Sequence, residues 1–240
     1  MTKNTILFDL GGTLAYYYNM SEFPSILEQA IRGIQFYLHE KGLLTVTPEL
    51  IHIRVGEENH ESPDYRSRPL EERLTRIFGL EAPIATDELL MEMCKRFMAP
   101  IFARGKCYED TFPALQELRS RGFRTAIVSN TSWGSPAALW RGEIKRLGLD
   151  SYMDSIVFDR DIGWRKPSDR IFQFAMKTLG VLPGKCLFVG DEPKWDLRGP
   201  RAVGMEAVLI DRQGTMGGLE DRLIKNLHEL TLKLLKIEEN

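Results

Sequence analysis

Ile6-Leu7-Phe8-Asp9-Leu10-Gly11-Gly12-Thr13-Leu14 is an apolar run that gives way to a carboxylate and then to a pair of glycines. A short, continuous apolar run bounded by turn residues reads as a strand buried on both faces of a parallel sheet. A strand ending in Asp-x-Gly-Gly-Thr puts a carboxylate at the carboxyl edge of that sheet, where open α/β folds bind ligands. The glycines then supply loose backbone just behind it. The same theme recurs downstream in Arg124–Ser129, Ile156–Phe158, Cys186–Gly190 and Ala207–Ile210. Helix-period segments separate these runs, such as Phe112, Leu115 and Leu118 ahead of Gly122. Strands alternating with helices predict an α/β fold, with a parallel sheet covered on both faces and joined by right-handed crossovers. The Ile6–Asp9 strand is expected in that sheet, because a lone strand cannot hide its edges among helices.

Between the first two strands the pattern is different. Ile26, Leu27, Ala30, Ile31, Ile34 and Leu38 recur at helical spacing between Ser21 and Gly42, with Pro24 near the start. A second helix opens at Thr47-Pro48, a capping residue followed by a first-turn proline. Helical spacing resumes at Leu70, Leu74, Ile77 and Phe78, and after Thr86 at Leu89, Leu90, Met93 and Phe97, while the polar stretch from Glu57 to Pro69 reads as a loop. Residues 16–105 thus read as nearly all helical and without a strand: a helical domain inserted after strand one of an α/β core made of residues 1–15 and 106–240. Near the end, Asn226 and Glu229 form a capping-box pattern that opens a last helix through Leu227, Leu230, Leu234 and Ile237.

The bulk composition removes several function classes. With 43% hydrophobic residues over 240, the chain has enough apolar content for a sizeable core. Its 32 basic and 34 acidic residues give a net charge of −2, so the basic footprint of a nucleic-acid binder is missing. Cys94, Cys107 and Cys186 are widely spaced with no C-x-x-C, which argues against a zinc site or a disulfide framework; they read as core thiols. No secretory signal pattern precedes the first strand, and no apolar run approaches the ~18 residues of a membrane helix. The expectation is a soluble, cytoplasmic protein, its oligomeric state left open.

Three further patterns sit at or after strand ends: Ser129-Asn130, Trp164-Arg165-Lys166-Pro167 and Gly190-Asp191-Glu192-Pro193-Lys194-Trp195-Asp196. With Asp9-Leu10-Gly11-Gly12-Thr13, their order and spacing resemble the four motifs of the haloacid dehalogenase superfamily: Asp-x-Asp-Gly-Thr, a Ser or Thr, a Lys, and Gly-Asp-x-x-x-x-Asp. The resemblance covers the whole chain and implies a Rossmann-like doubly wound core with a helical cap domain. It also implies a Mg²⁺-dependent phosphatase of small phosphorylated molecules. Asp9 would be the nucleophile that forms an aspartyl-phosphate, and Mg²⁺ would be held by Asp9, Asp191 and the backbone carbonyl of Gly11. Ser129, Asn130 and Lys166 would meet the phosphoryl oxygens, Asp196 would fix Lys166 or a metal-bound water, and Thr13 would hold the loop. These are the types such chemistry needs: a nucleophile, neutralisation of the equatorial oxygens, and oxygen ligands for a hard cation. Singly each has a bland reading, Asp9 as a turn cap, Ser129 as a turn former, Lys166 as a surface charge. Trp133, Trp164 and Trp195 near the motifs read as core or cap packing.

The resemblance breaks at Gly11, where the family's motif carries the second aspartate, which protonates the leaving group and then activates water. A positioned acid/base contributes ~10² to 10⁴ in rate. A replacement from the cap has candidates in His52, Glu57, Glu58, Tyr65 and above all His60, which lies in the polar loop. Phosphonatases of the family also carry a small residue here and use a cap lysine as a Schiff base, for which Lys41 and Lys95 are available. Dehalogenases also lack the second aspartate but use no metal, and Asp191 would then set an unneeded carboxylate beside Asp9. A non-catalytic phosphate-binding protein is a further alternative, although such a protein has no need of Asp9.

Overall fold

The computed structural model describes residues 3–216 and 223–231. The chain enters through β1 (Thr5–Phe8) and leaves along the two-residue strand β2 (Ala15–Tyr16). It then runs through α1 (Phe23–Glu40), α2 (Pro48–Glu58), α3 (Leu70–Phe78) and α4 (Asp87–Phe102) and returns along β3 (Lys106–Cys107). From there helix and strand alternate: α5 (Thr111–Ser120), β4 (Arg124–Ser129), α6 (Ala137–Arg146), β5 (Ser155–Phe158), α7 (Asp159–Ile162) and α8 (Asp169–Leu179). The chain continues through β6 (Cys186–Gly190), α9 (Gly199–Ala202), β7 (Glu206–Ile210) and β8 (Leu223–Ile224). Among the described residues six strands form one sheet in the order β5-β4-β1-β6-β7-β8, with every pair parallel.

β1 is internal, with Leu7 opposite Ala126 of β4 on one side and Phe188 of β6 on the other. Its successive side chains point to opposite faces. Ile6 and Phe8 pack with Leu115 and Leu118 of α5, and Leu7 packs with Ile171, Phe172 and Ala175 of α8. Neither face meets water, which is why the strand reads as an unbroken apolar run.

In the inserted helices the hydroxyls of Thr47 and Thr86 accept from the amides of Leu50 and Leu89, capping α2 and α4. Ile26, Ile34 and Leu38 of α1 share one apolar cluster with Met93, Phe97 and Met98 of α4. That cluster runs into the core, since the ring of Phe97 lies 5.3 Å from that of Trp133. The two connections of the insertion run side by side: Ala15 pairs with Cys107 and Tyr16 with Lys106, antiparallel. Tyr16 corrects the reading of residues 16–105 as free of strands, and β8 was not read either. Two-residue strands are too short to show a period. At the C-terminal end, Asn226 Oδ1 accepts from Glu229 N at 3.0 Å, whereas the Glu229 carboxylate takes the Lys225 amide at 3.1 Å. Half of the expected capping box is therefore present, and Leu234 and Ile237 lie outside the described residues. Cys94 and Cys186 are buried, whereas Cys107 is half-buried on β3.

Candidate active site

Because β4, β1 and β6 are parallel neighbours, their carboxyl ends open on one edge, and Ser129, Asp9 and Asp191 stand there on adjacent strand ends. The Asp9 amide extends the ladder, donating to Val189 O at 2.9 Å. Beyond it the chain turns tightly: Leu10 O accepts from both Leu14 N and Ala15 N, and Gly12 N donates to Ala15 O. Gly12 has φ +73°, and a Cβ there would collide with the Asp191 carboxylate, so this glycine is required twice over. Gly11 is different. It lies outside the left-handed region, and a Cβ on it would meet only Tyr17 Cδ2, at 3.8 Å.

Lys166 is 1% exposed at the centre of the cluster. Its Nζ donates to Asp196 Oδ1 at 2.6 Å and stands 2.8 Å from Asp9 Oδ1, at angles that are not those of a hydrogen bond. Asp9 Oδ1 is thus a buried acceptor without a hydrogen-bond donor. Asp196 lies in a π-helical turn, Pro193–Arg198, and its Oδ2 accepts from Glu192 N at 3.0 Å. Burial works against the charge on Lys166, but Asp196 and Asp9 outweigh it and hold its pKa above the ordinary lysine value. Burial, with repulsion from Asp9 and Asp196, pushes the Asp191 carboxyl well up. Burial also raises Asp196, to about 6, against the pull of Lys166.

The carboxylate oxygens of Asp9, Asp191 and Asp196 lie within 4.8 Å of one another, three potential anions to one ammonium. An all-oxygen donor set with more carboxylates than cations, and a carboxyl driven up by its neighbours, together suit a small hard divalent cation such as Mg²⁺.

Ser129 is 5% exposed, and its hydroxyl reaches only Asn130 O at 3.4 Å. The Asn130 side chain is committed at both ends to the backbone of Lys166: Oδ1 accepts from Lys166 N at 2.7 Å, and Nδ2 donates to Lys166 O at 3.2 Å. Thr13 is fully buried, its hydroxyl without a hydrogen-bond partner among the described residues. Its carbonyl accepts from Arg212, which also pairs with Asp110 at 3.0 Å and stacks on Tyr108. Arg212 carries no motif of its own; its position just past the β7 strand end is the one signal the sequence offers for it.

His60 is not brought into the carboxylate cluster. It is exposed, Nδ1 lies 2.8 Å from Glu57 O, and its carbonyl takes Arg68 and Arg73. Of the other cap candidates, His52 and Glu57 are exposed on α2, while Glu58 is buried between Arg68 and Arg76. Burial tends to raise Glu58, but Arg76, Arg68 and Arg73 overcome it and hold the carboxyl below its usual range. Tyr65 belongs to a strap, residues 59–69, that lies on the core beside Lys166. Arg165 N donates to Tyr65 O at 2.9 Å, Ser67 N donates to Gly163 O at 3.0 Å, and Glu61 pairs with Arg165 at 2.5 Å. Trp164 is stacked by Arg66 and Arg170, and Trp195 by Arg165. Tyr65 (φ 63°) and Trp133 (φ 53°) are held in the left-handed region, which costs roughly 1–3 kcal/mol each and persists where surroundings enforce it.

Residues 3–204 match the family model described as haloacid dehalogenase-like hydrolase. The chain is 30% identical over 220 residues, 90% of its length and 87% of the relative's, to a Methanopyrus kandleri protein named glyceraldehyde 3-phosphate phosphatase. Among solved structures it resembles a HAD phosphatase from Thermococcus onnurineus, with a TM-score of 0.69, 27% identity and 98% of each chain covered. A 2-haloacid dehalogenase from Pseudomonas syringae pv. Tomato shares the fold, with a TM-score of 0.72 at 22% identity, covering 99% of this chain and all of the other.

Proposed function

The chain belongs to the haloacid dehalogenase-like hydrolase family, and from that premise we propose that it is a Mg²⁺-dependent phosphatase of small phosphorylated molecules. The observation that carries this reading is the cluster of Asp9, Asp191 and Asp196 around one buried ammonium, three carboxylates to a single cation. The relative named glyceraldehyde 3-phosphate phosphatase makes a three-carbon alkyl phosphate the substrate to set beside an activated aryl ester. In this reading the free Asp9 carboxylate attacks phosphorus, the bond from phosphorus to the ester oxygen breaks, and water later cleaves the aspartyl-phosphate. Lys166 neutralises the phosphoryl oxygens, held by Asp196. The Ser129 hydroxyl donates to one of them, and Asn130 acts from behind by clamping the Lys166 backbone. Thr13 sits in the turn that Arg212 grips. Asp9, Asp191 and the Gly11 carbonyl would hold Mg²⁺, which when bound supplies the positive charge that lets a phosphate dianion approach Asp9.

Residues 16–105 serve as the cap over a core of 1–15 and 106–240, with the β2–β3 pair as the joint between them. Since nothing at position 11 carries a proton, activity is restricted to esters whose leaving group departs without one. Dehalogenation is the second reading, favoured by Gly11 and disfavoured by the three-carboxylate cluster. A phosphonatase needs a lysine kept neutral by burial, whereas Lys41 is exposed and Lys95 is 57% exposed beside Glu92.

The test is release of phosphate from an aryl phosphate and from glyceraldehyde 3-phosphate, with and without Mg²⁺, beside release of chloride from 2-chloropropionate. Metal-dependent phosphate release that disappears in Asp9→Asn supports the proposal. Chloride release without metal, or phosphate release unchanged in Asp9→Asn, overturns it.

A further inference from the structure

We infer that Asp159 is a positioning residue of the phosphoryl site, through which the strap of residues 59–69 sets the loop that follows β4. Asp159 opens α7 and is 2% exposed. One of its oxygens, Oδ1, accepts from Thr131 N at 2.7 Å, and the other, Oδ2, accepts from Ser67 Oγ at 2.7 Å. Thr131 is the second residue after Ser129, so one end of this carboxylate holds the phosphoryl loop and the other holds the strap. Among the described residues no cation pairs directly with Asp159. A buried carboxylate held this way depends on each of its donors, because an oxygen that loses its donor keeps the full cost of desolvation. When the strap lifts and Ser67 departs, the carboxylate must turn or admit water, and either movement loosens Thr131.

The same strap residues reach the other half of the site. The exchange between Tyr65 and Arg165, and between Ser67 and Gly163, runs the strap antiparallel to the segment that delivers Lys166. Asn130 then ties Lys166 back to the loop after β4. Further along that loop, Gly134 (φ +67°) packs so closely on the Arg68 carbonyl that a Cβ would collide with it, and Arg160 bonds the Gly134 carbonyl while pairing with Glu71. The left-handed residues, Tyr65 and Trp133, lie one on each side of this contact. Residues 65–67 therefore brace both Ser129 and Lys166, and the site is fully shaped only with the strap seated.

What the loop does chemically rests on the phosphatase reading; the linkage itself does not. The experiment uses the full chain and two readouts: hydrogen exchange of the peptides spanning 128–134 and 163–167, and turnover of an aryl phosphate at saturating Mg²⁺. In Ser67→Ala the exchange of 128–134 is expected to quicken about 10-fold and kcat/KM to fall about 10-fold, mostly in kcat, as fits loss of one hydrogen bond to a buried charge. Ser67→Thr, which keeps the hydroxyl, restores both. Asp159→Ala has the larger effect, and adding Ser67→Ala to it costs little more, because the two act through one contact. Unchanged exchange at 128–134 in Ser67→Ala, or additive effects of the two substitutions, overturns the inference. Should Asp159→Ala not fold, the Ser67 pair decides alone. A wild type silent on every phosphate ester whose loop exchange still responds to Ser67→Ala refutes the phosphatase reading and upholds the linkage.

Discussion

Replacing Gly11 with aspartate places a proton carrier at a position that has no side chain. The backbone accepts a side chain there, because Gly11 is not left-handed and its nearest obstacle, Tyr17 Cδ2, is at ordinary contact distance, 3.8 Å. A positioned acid is worth ~10² to 10⁴ in rate, about 3 to 5 kcal/mol at 1.36 kcal/mol per tenfold. Against this stands a further carboxylate beside Asp9, Asp191 and Asp196. At roughly 6 Å and an effective dielectric of about 20 each such pair costs about 3 kcal/mol, a penalty that bound Mg²⁺ offsets. Gly11→Asp is therefore expected to unfold at lower temperature than wild type without Mg²⁺ and to recover with it. The informative assay is kcat/KM across phosphate esters graded by leaving-group pKa. Wild type should fall steeply from aryl to alkyl phosphates. Gly11→Asp should flatten that slope, gaining about 100-fold or more on an alkyl ester and far less on an aryl one. A folded, Mg²⁺-binding Gly11→Asp protein with the wild-type slope would show that the missing carboxylate is not what limits this site.

Gly12→Ala should abolish Mg²⁺ binding and turnover together, because its Cβ would drive the Asp191 carboxylate out of place and its φ of +73° resists any side chain; calorimetric titration with Mg²⁺ reads the loss, and near-normal affinity would contradict the packing. Lys166→Met leaves Asp196 buried without its cation and should cost about 3–5 kcal/mol in denaturant unfolding of the metal-free protein. Asp191 and Asp196 titrate above the ~3.9 of an unfolded aspartate. Between ~3.9 and about 6 the Asp196 carboxyl keeps a proton in the folded, metal-free protein that it loses in the unfolded chain, so stability falls as pH rises through that interval, and Asp191, raised in the same direction, adds to the fall. Mg²⁺ competes with those protons, so its affinity should rise over the same interval with proton release; titration in buffers of different ionisation enthalpy detects it, and a flat affinity across that range would contradict the carboxylates as ligands.

What the sequence shows and what it hides divide by range. β1, β4, β6 and β7 were readable because burial on both faces leaves an apolar stretch at the centre of each run, and the candidate site residues stand at the strand ends. The helix starts at Thr47 and Thr86 were readable because a cap acts within three residues. Contacts without local periodicity were not. Ser67 meets Asp159 across 92 positions and Arg212 meets Thr13 across 199, and neither leaves a pattern in its neighbourhood. Asn130 shows the intermediate case: its place beside Ser129 marked it, but only the fold reveals that its amide spends both ends on Lys166. His60 stood out as a histidine in a polar loop, yet what that loop contributes to the core is the backbone of Tyr65 and Ser67, the Ser67 hydroxyl and the Glu61 carboxylate.

The absence at position 11 gains weight from the state of the carboxylates around the strap. Glu58 is ionised between Arg68 and Arg76, Glu61 pairs with Arg73 and Arg165, and Glu71 with Arg160. An arginine partner favours the ionised form, the wrong form for a proton donor. Glu58, which burial tends to raise but its arginines hold low, is thus suited to hold the strap on the core and not to protonate a leaving group. In the proposed reaction residues 16–105 supply seating, and the core supplies Asp9 as the nucleophile together with its counter-charges. The proton is left to the substrate, which is why leaving-group dependence discriminates more sharply than any single substrate.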